Sequence, residues 1–339
     1  MGESFNNYHI AERSFVSYIK REIHQGNLKR NFSERQIGEI DIIVSEMTSN
    51  LIKYVGSGDL LYRAYNVGDQ DSVFEVLCID KGQGIVDLVK MRKDGFSSST
   101  TLGQGLGAIE RLSTFSQLYS QLGWGTILYS KVSTPGLNKV VHTNGIDISS
   151  RGLMVNKPRE TVCGDGYCVQ ETKTHYRVFF GDGLGHGPAA KKATDQAIEY
   201  FLASEENDPV DLLRKIHGAV RHTRGLVGTV AICDRKAEEW RICGVGNILT
   251  RVYSGIHHKN YMPYNGTLGL NIPNTMNPSV YPVERNQHLI MCSDGIHSRW
   301  DLNRFPGAFR YDNMILASCI YKDYVRGTDD ASVLIIKVT

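Results

Sequence analysis

The stretch FFGDGLGHGPAAKKA, residues 179–193, decides how the second half of this 339-residue chain is interpreted. It leaves an apolar, strand-like segment, passes through four closely spaced glycines and enters a run that favours helix. Glycine-rich turns before helices commonly bind phosphate through backbone N–H groups. This turn contains Asp182 and no lysine, however, and a carboxylate repels a phosphate. The stretch therefore raises the question of what a glycine-rich loop binds when its own charge is negative.

Three further aspartates stand where a strand-like segment meets a turn: Asp165 in CGDGY, Asp294 in LIMCSDGI and Asp330 in GTDDASVLI. Alone, each is a common turn former or helix cap. Together with Asp182 they make four carboxylates in one half of the chain, which favours a site for hard cations such as Mg²⁺ or Mn²⁺. His186 in the first loop either assists this site or is a structural histidine beside a glycine turn, and both interpretations stay open.

A second glycine-rich stretch, TLGQGLGAIERL at residues 101–112, has no acid among its glycines and opens a predicted helix. Such a helix start presents free N–H groups and the positive end of the helix dipole to phosphates. Upstream, Glu46 and Asn50 lie four residues apart on an otherwise apolar predicted helix, so they share one face. Asp80 ends a buried-looking strand in CIDKGQGI, where a carboxylate can accept from an amine such as that of adenine. Taken singly, the first pair also fits a solvent-facing polar pair, and DKGQG also fits a tight turn.

The composition is that of an ordinary globular chain, with 41% hydrophobic and 22% charged residues and a net charge of +2. Neither half has the basic excess expected of a nucleic-acid binder. No apolar run approaches the length of a membrane span, and the first residues lack the pattern of a signal peptide. The seven cysteines are scattered singly, which predicts reduced thiols in a cytoplasmic protein.

Apolar periodicity predicts two domains of the α+β, layered α/β class. In the first, helices at 9–24 and 34–54 pack on one face of a largely antiparallel sheet. The second combines strands with helices at 188–203 and 209–222 in a layered sandwich. Its predicted strands are HYRVFFGD, GTVAICD, EWRICGVGNILTRVY, QHLIMCSDG and ASVLIIKVT. Residues 134–139, with Pro135-Gly136 at their centre, form the predicted linker.

The order of the motifs in the first half resembles the GHKL ATPase family, and within it the RsbT/RsbW-like serine kinases that regulate sigma factors. An E-x-x-x-N helix is followed by a D-x-G-x-G strand end, a G-x-G-x-G loop and a strand that begins Gly125-Thr126. The resemblance covers residues 1–133. It implies a Bergerat-type sandwich of helices on a sheet that binds ATP with Mg²⁺.

This resemblance also implies roles for individual residues. Asn50 would hold Mg²⁺ between the phosphates, and Glu46 would be the catalytic residue that orients or deprotonates the attacking hydroxyl. Asp80 would bind adenine, Thr126 would line the base pocket, and Lys53 lies where the family often has a basic residue. The remaining cofactor-binding positions are Gly82, Gly84, Gly103, Gly105 and Gly107.

The order GDG, GDGLGHG, SDG and DD in the second half resembles the PP2C-type metal-dependent phosphatases of the SpoIIE/RsbU/RsbX-like branch. The resemblance covers residues 140–339 and implies an α-β-β-α sandwich. It implies two Mn²⁺ or Mg²⁺ ions and in-line attack of an activated water on phosphoserine or phosphothreonine. Asp165 and Asp182 would bridge the ions, and Asp329 is the alternative to Asp330. The implied ligands are Asp165, Asp182, the carbonyl of Gly183, Asp294 and Asp330.

Together the two resemblances imply a bifunctional regulator of a bacterial partner-switching system. Its kinase and its phosphatase would act on a phosphoprotein with a STAS domain, an anti-sigma antagonist. A sigma factor is a second candidate partner, and a homodimer is a candidate assembly. The alternative is a phosphatase whose N-terminal domain is only a nucleotide-gated binding or anti-sigma module. The sequence leaves open which of these two the chain is.

Overall fold

The computed structural model describes residues 2–86, 101–138, 146–255 and 257–339. The chain divides into two compact units. The first comprises Phe5–Val141 with Arg310–Ser318, and the second comprises Met1–Ser4, His142–Phe309 and Cys319–Thr339. The domain boundaries expected from the sequence stay a prediction, and the last linker residue and the predicted start at residue 140 lie outside the described residues.

The first unit is built on a five-stranded sheet in the order β1-β2-β3-β5-β4, in which every neighbouring pair is antiparallel. The antiparallel sheet expected from the sequence is therefore confirmed. The strands are β1 (Asn6–Ile10), β2 (Gly58–Val67), β3 (Asp71–Ile79), β4 (Phe115–Gln121) and β5 (Gly125–Ser133). The predicted helix at 9–24 was wrong at its start, because His9 and Ile10 pair with β2 as an edge strand.

The helices of this unit are α1 (Arg13–Leu28), α2 (Glu34–Asn50) and α3 (Thr101–Leu112). Helix α2 starts at a capping box in which the Ser33 hydroxyl accepts from the Gln36 N–H and the Gln36 side chain accepts from the Ser33 N–H. A π-helical turn, Leu51–Val55, continues it beyond Asn50. Apolar side chains of the three helices share one core with alternate residues of the sheet, such as Phe74, Val76 and Cys78 of β3.

The glycines of the second glycine-rich stretch lie inside α3. From the sequence we had expected them in a loop before this helix. Glycine weakens a helix interior by about 1 kcal/mol relative to alanine. At Gly105, however, the absence of a side chain allows the backbone of α3 to approach α2 closely. A Cβ at this position would lie 2.5 Å from Glu46 Oε2 and 3.7 Å from Asn50 Nδ2. The glycines therefore bring the α3 backbone up to α2.

The second unit is a sandwich of two five-stranded antiparallel sheets. One sheet has the order β13-β10-β9-β8-β7 and the other β12-β11-β14-β15-β6. The first consists of β7 (Asp165–Glu171), β8 (His175–Gly183), β9 (Leu226–Asp234), β10 (Glu239–Val245) and β13 (Ser279–Pro282). The second consists of β6 (Ile148–Val155), β11 (Leu249–Ser254), β12 (His257–Tyr261), β14 (His288–Cys292) and β15 (Ala331–Val338).

Two helices, α4 (Pro188–Ala203) and α5 (Pro209–Ala219), share a core with the outer face of the β8 sheet. Side chains of β8 alternate between two cores. Phe179 faces the helices, whereas Tyr176, Val178 and Phe180 face the second sheet. Helix α6 (Asn313–Tyr324), which precedes β15, was not predicted; its residues up to Ser318 are assigned to the first unit and the rest to the second. The layered α/β class is confirmed, and the fourth layer of the expected α-β-β-α sandwich stays a prediction.

The segment EWRICGVGNILTRVY, expected as one strand, forms two strands in different sheets. Strand β10 ends at Val245 and β11 begins at Leu249. Between them Gly246 has φ +105°, a backbone conformation that favours glycine, and a Cβ there would lie 2.1 Å from Val227. The glycine thus lets the chain cross from one sheet to the other.

All seven cysteines are free and buried, in agreement with the expected reduced thiols. Among the residues described, no helix is long and apolar enough to cross a membrane.

Candidate active sites

Two of the predicted metal ligands, Asp165 and Asp182, are directly opposed on neighbouring antiparallel strands, β7 and β8. Asp182 lies within β8, which runs on through Gly183, and not in the turn where the sequence analysis placed it. Side chains of alternate residues in a strand point to the same face, and Asp182 continues the series Tyr176, Val178 and Phe180. It therefore points to the space between the two sheets. Opposed residues of an antiparallel pair share a face, so Asp165 points the same way.

The Asp165 carboxylate is almost wholly buried, at 4% exposure. Neither of its oxygens has a hydrogen-bond partner among the residues described. Burial raises the pKa of Asp165 to about 7, and the nearby hydroxyls of Ser293 and Ser332 oppose this rise. The negative charges of Asp330 and Asp294 add to it. A buried carboxylate with so few donors is costly unless a cation compensates it. This carboxylate therefore fits a metal ligand better than a turn former.

The pKa of Asp182 is also raised well above its usual range, first by burial and then by the carboxylates of Asp165, Asp294 and Asp329. Gly183 follows it, and a Cβ there would lie 2.4 Å from the Ala190 carbonyl of α4. Gly183 is thus fixed as glycine by the close approach of α4.

Asp330 is held by the backbone of a neighbouring loop. Its Oδ1 accepts from the Lys157 N–H at 2.7 Å, and its Oδ2 accepts from the Gly164 N–H at 2.8 Å. It is 3% exposed, and burial raises its pKa while the two N–H groups oppose the rise. These bonds fix the chain directly before Asp165. The adjacent Asp329, in turn, is one of the carboxylates whose charge acts on Asp182.

Asp294 lies in the turn after β14 and is exposed. Its Oδ2 accepts from Asn247 Nδ2 at 3.1 Å. Asn247 follows the Gly246 crossover, and sequence reasoning missed it, although the quoted segment GVGNILTRVY contains it. The acids are brought together, but no three His, Cys, Asp or Glu side chains in the described part of the chain already form a metal-binding group. Such a donor set suits ions that retain several water ligands.

His186 Nδ1 lies 2.6 Å from Glu160 Oε1, and both side chains are partly exposed. The pair lies directly after the Asp182 loop, beside Gly187, where a Cβ would be 3.0 Å from Glu160 Oε2. Glu160 was not singled out from the sequence, because its partner is remote along the chain. The contact gives His186 a definite orientation at the end of the loop.

The first unit contains a cavity of about 260 Å³ between α2, α3 and the sheet. Three of the predicted nucleotide-binding side chains line it: Asn50, Asp80 and Thr126. Its remaining surface is mainly apolar, which suits the faces of a planar base. The other lining residues are Met47, Leu51, Tyr54, Val55, Cys78, Gly82, Gln83, Gly84, Ile85, Leu106, Leu118 and Leu128.

Asp80 is fixed at the floor of this cavity. Its Oδ1 accepts from the Gly82 N–H at 2.8 Å and from the Thr126 N–H at 3.1 Å. A Cβ at Gly125 would lie 2.2 Å from the Asp80 carbonyl, and one at Gly84 would lie 2.0 Å from the Gln121 carbonyl. Both glycines also have positive φ angles, +119° and +72°. The D-x-G-x-G and G-T motifs are thus required by close packing around one carboxylate.

Asn50 and Glu46 lie at the α3 side of the cavity. Asn50 Nδ2 is buried without a hydrogen-bond partner among the described residues, so this amide suits a polar ligand. Glu46 is half-buried and faces the backbone of Gly105. Lys53 lies in the π-helical turn, is exposed, and is 5.0 Å from the ring centre of Tyr54. It is not among the residues that line the cavity.

The other predicted glycines lie in α3. Gly103 belongs to its first turn, and a Cβ at Gly107 would lie 3.2 Å from Arg111 Nη1. Within the part of this helix whose side chains are described, residues 105–112, Leu106 is the residue that lines the cavity.

Comparison with known proteins gives relatives for both halves of the predicted function. The family model of stage II sporulation protein E (SpoIIE) matches residues 172–339. The serine/threonine-protein kinase RsbT of Bacillus subtilis is 35% identical over 118 residues, which are 34% of this chain and 82% of RsbT. The phosphoserine phosphatase RsbX of the same organism is 21% identical over 145 residues, 42% of this chain and 72% of RsbX.

A crystal structure of RsbX in complex with magnesium superposes with a TM-score of 0.51 at 16% identity. The match covers 59% of this chain and 99% of that chain, and it supports the fold of the second unit. The chain therefore belongs to the family of the serine/threonine-protein kinase RsbT, and its residues 172–339 match the SpoIIE family model.

Proposed function

We propose that the second unit is a metal-dependent phosphatase for phosphoserine or phosphothreonine in proteins, and that the first unit binds ATP and phosphorylates the same kind of substrate. The observation that carries the phosphatase is the buried Asp165 carboxylate, which is opposed to Asp182 and has only the hydroxyls of Ser293 and Ser332 as nearby donors among the residues described. Its partner Asp182 and the predicted ligands Asp294 and Asp330 lie within residues 172–339, which match the SpoIIE family model, and this supports the assignment.

Two Mn²⁺ or Mg²⁺ ions would be held by Asp165 and Asp182 together, with the carbonyl of Gly183 and the carboxylate of Asp294 as further ligands. For the last carboxylate we propose Asp329 beside the expected Asp330, because both Asp330 oxygens already accept backbone N–H bonds. When bound, the ions neutralise phosphate charge and make a water a better nucleophile near neutral pH. That RsbX was crystallised with magnesium supports this cofactor class.

The chain's own side chains have separate tasks in this reaction. Asp330 holds the loop that precedes Asp165, so it positions the first ligand. Asn247 orients Asp294 by donating to its Oδ2. The apolar core between the sheets keeps water from the inner side of Asp165, which strengthens its attraction for a cation.

In the first unit, Asp80 would accept from the amino group of adenine, and the apolar cavity walls would cover the base. Asn50 would hold Mg²⁺ at the phosphates, next to the N-terminal half of α3, whose free N–H groups suit an anion. Glu46 lies one helical turn before Asn50 and would orient the hydroxyl that attacks the γ-phosphate. Phosphoryl transfer of this kind depends on positioning and charge neutralisation.

The relatives support a regulatory partner. RsbT is a protein kinase and RsbX is a phosphoserine phosphatase, and this single chain resembles both. We propose as substrate a STAS-domain phosphoprotein, an anti-sigma antagonist, in a cytoplasmic partner-switching system. A sigma factor and a second copy of the chain are further candidate partners.

A second candidate function gives the first unit a binding role only. Lys53 is exposed and does not line the cavity, and none of the described residues that line it is basic. ATP binding would then gate partner binding or phosphatase activity without transfer.

One experiment separates these functions. Native lysate is incubated with ATP labelled at the γ-phosphate, Mg²⁺ and Mn²⁺, and with the parent, Glu46→Ala or Asp182→Asn. If both activities act on one substrate, Asp182→Asn labels a small protein strongly, the parent labels it less, and Glu46→Ala leaves it unlabelled. If no form labels any protein while the parent removes phosphate from phosphoproteins in a Mn²⁺-dependent way, the gating function replaces the kinase.

A further inference from the structure

Arg224 lies against the loop that carries the candidate metal ligands. Its Nη1 is 2.9 Å from the point where a Cβ of Gly185 would stand. Gly185 has φ +80° and follows Asp182 and Gly183 by three and two residues. The guanidinium therefore occupies the space that a side chain at Gly185 would need.

The backbone of Arg224 is fixed in this place by its neighbours. The Thr223 hydroxyl donates to the Val220 carbonyl at 2.7 Å and accepts from the Gly225 N–H at 3.0 Å. The Gly225 carbonyl accepts from the Leu184 N–H at 3.1 Å. The turn that bears Arg224 is thus hydrogen-bonded directly to the loop that follows Asp182 and Gly183. The Arg224 side chain therefore extends from a fixed backbone position.

The loop that contains Gly185 also approaches the predicted metal-binding aspartates, the acid cluster of Asp165, Asp182, Asp294, Asp329 and Asp330, from the side of Gly164. The Gly185 carbonyl is 3.7 Å from the point where a Cβ of Gly164 would stand, and Asp330 Oδ2 is 3.0 Å from that point. Arg224 is exposed, and its guanidinium makes no hydrogen bond or ion pair with the residues described. Its charge is therefore directed at neither the carboxylates nor the loop carbonyls.

We propose that Arg224 binds the phosphate dianion of the substrate at the phosphatase site, an inference that rests on the proposed phosphatase function. Its planar fork of N–H donors matches two phosphate oxygens, and such charge-assisted pairs are stronger than neutral hydrogen bonds. The acid cluster supplies ligands for cations but no donor for the phosphate oxygens that face solvent. Arg224 supplies that donor at the edge of the loop.

The test uses the full chain with Mn²⁺ and two probes, inorganic phosphate and p-nitrophenyl phosphate. Phosphate binding is measured by calorimetry, and hydrolysis gives kcat and KM separately. The variants are Arg224→Ala, Arg224→Lys and the control Arg221→Ala, which removes an exposed arginine three residues earlier. Mn²⁺ affinity is measured for each, because Arg224 is not a proposed ligand.

We expect Arg224→Ala to raise both the phosphate dissociation constant and KM about tenfold or more, the loss of one charge-assisted contact. Arg224→Lys should lie between it and the parent, and Arg221→Ala should match the parent. Phosphate affinity and KM of Arg224→Ala equal to those of Arg221→Ala would overturn the assignment. If the parent binds phosphate through Arg224 but hydrolyses nothing, the phosphatase function fails while the anion site stands.

Discussion

Asp165 and Asp182 face each other across the β7–β8 pair, at the end of a sandwich whose inner face is mainly apolar. Two carboxylates in this position repel each other and lose their hydration, and the raised pKa values of both report that cost. A fold keeps such a pair only when something compensates it. Divalent cations compensate both charges at once, which is why this pair carries the functional assignment.

Asp182→Asn is therefore expected to separate stability from function. Without metal the variant should be at least as stable as the parent, because one of two opposed carboxylates with raised pKa values is gone. Its affinity for Mn²⁺ should fall at least about tenfold, since loss of even an indirect ligand partner costs that much. Thermal unfolding with and without Mn²⁺, together with phosphate release from a phosphoserine peptide, measures all three properties.

The control for this prediction is Asp195→Asn, on the exposed side of α4 in an i, i+4 pair with Lys191. It should leave the Mn²⁺-induced rise in melting temperature unchanged. An Asp182→Asn protein that keeps the full rise with Mn²⁺ would contradict the proposed metal site.

Asp329 and Asp330 are predicted to have different roles: Asp330 stabilises a loop, whereas Asp329 contributes to metal binding. Asp330→Asn replaces an acceptor of two backbone N–H bonds and should destabilise the loop at 157–164 by about 1–3 kcal/mol. Asp329→Asn should leave stability nearly unchanged but weaken Mn²⁺ binding, since Asp329 is the neighbour whose charge acts on Asp182. Hydrogen exchange of residues 157–164 and Mn²⁺ titration distinguish the two. The reverse pattern would restore Asp330 as the ligand.

The sequence predicted the motifs at both sites but not the bonds that join them. Asp165, Asp182 and Asp294 could be found because glycine and a strand end mark each of them locally. Asn247, Glu160 and Arg224 could not, because their partners lie more than 20 residues away and no local pattern marks them. The edge strand at Asn6–Ile10 was missed for the same reason, since it exists only through pairing with β2.

In the first unit, Asp80→Asn should abolish nucleotide binding without unfolding the unit. An amide oxygen still accepts from the Gly82 and Thr126 N–H groups, so the local turn is retained. Its NH₂ group, however, meets the amino group of adenine as a second donor. We expect at least about a hundredfold weaker ATP binding, given the cost of an unpaired polar group in a buried site. Fluorescent ATP-analogue titration measures this.

Glu46→Gln is the matched variant for that experiment. It should bind ATP like the parent, because Glu46 does not line the cavity, and lose any phosphoryl transfer. Equal loss of binding in both variants would assign Glu46 to nucleotide binding and leave no separate catalytic role for it.

A buried ion pair on the sheet of the first unit gives a stability prediction. Arg63 Nη2 and Nε lie 2.6 and 2.7 Å from Glu75 Oε2, and the Tyr129 hydroxyl donates to Glu75 Oε1. Glu75→Ala leaves the Arg63 charge buried without its carboxylate and should cost about 3–5 kcal/mol. Hydrogen exchange of β2 and β3 amides measures the opening free energy. The double variant Arg63→Met, Glu75→Leu should recover most of the stability that Glu75→Ala loses. If Glu75→Ala is within about 1 kcal/mol of the parent, the ion pair does not stabilise the sheet as predicted.

His288 in β14 predicts how stability depends on pH. It is 3% exposed, and burial, followed by the charge of Lys337, lowers its pKa from 6.5 to about 4. Because the unfolded chain binds this proton more readily than the fold, the stabilisation is present above pH 6.5 and is lost as pH falls towards 4. The loss should approach about 3 kcal/mol, the equivalent of this shift. In urea unfolding between pH 4 and 7, the free energy of unfolding should rise with pH. His288→Gln should remove this dependence and Lys337→Gln should reduce it. An unchanged dependence in His288→Gln would assign the acid sensitivity to other groups.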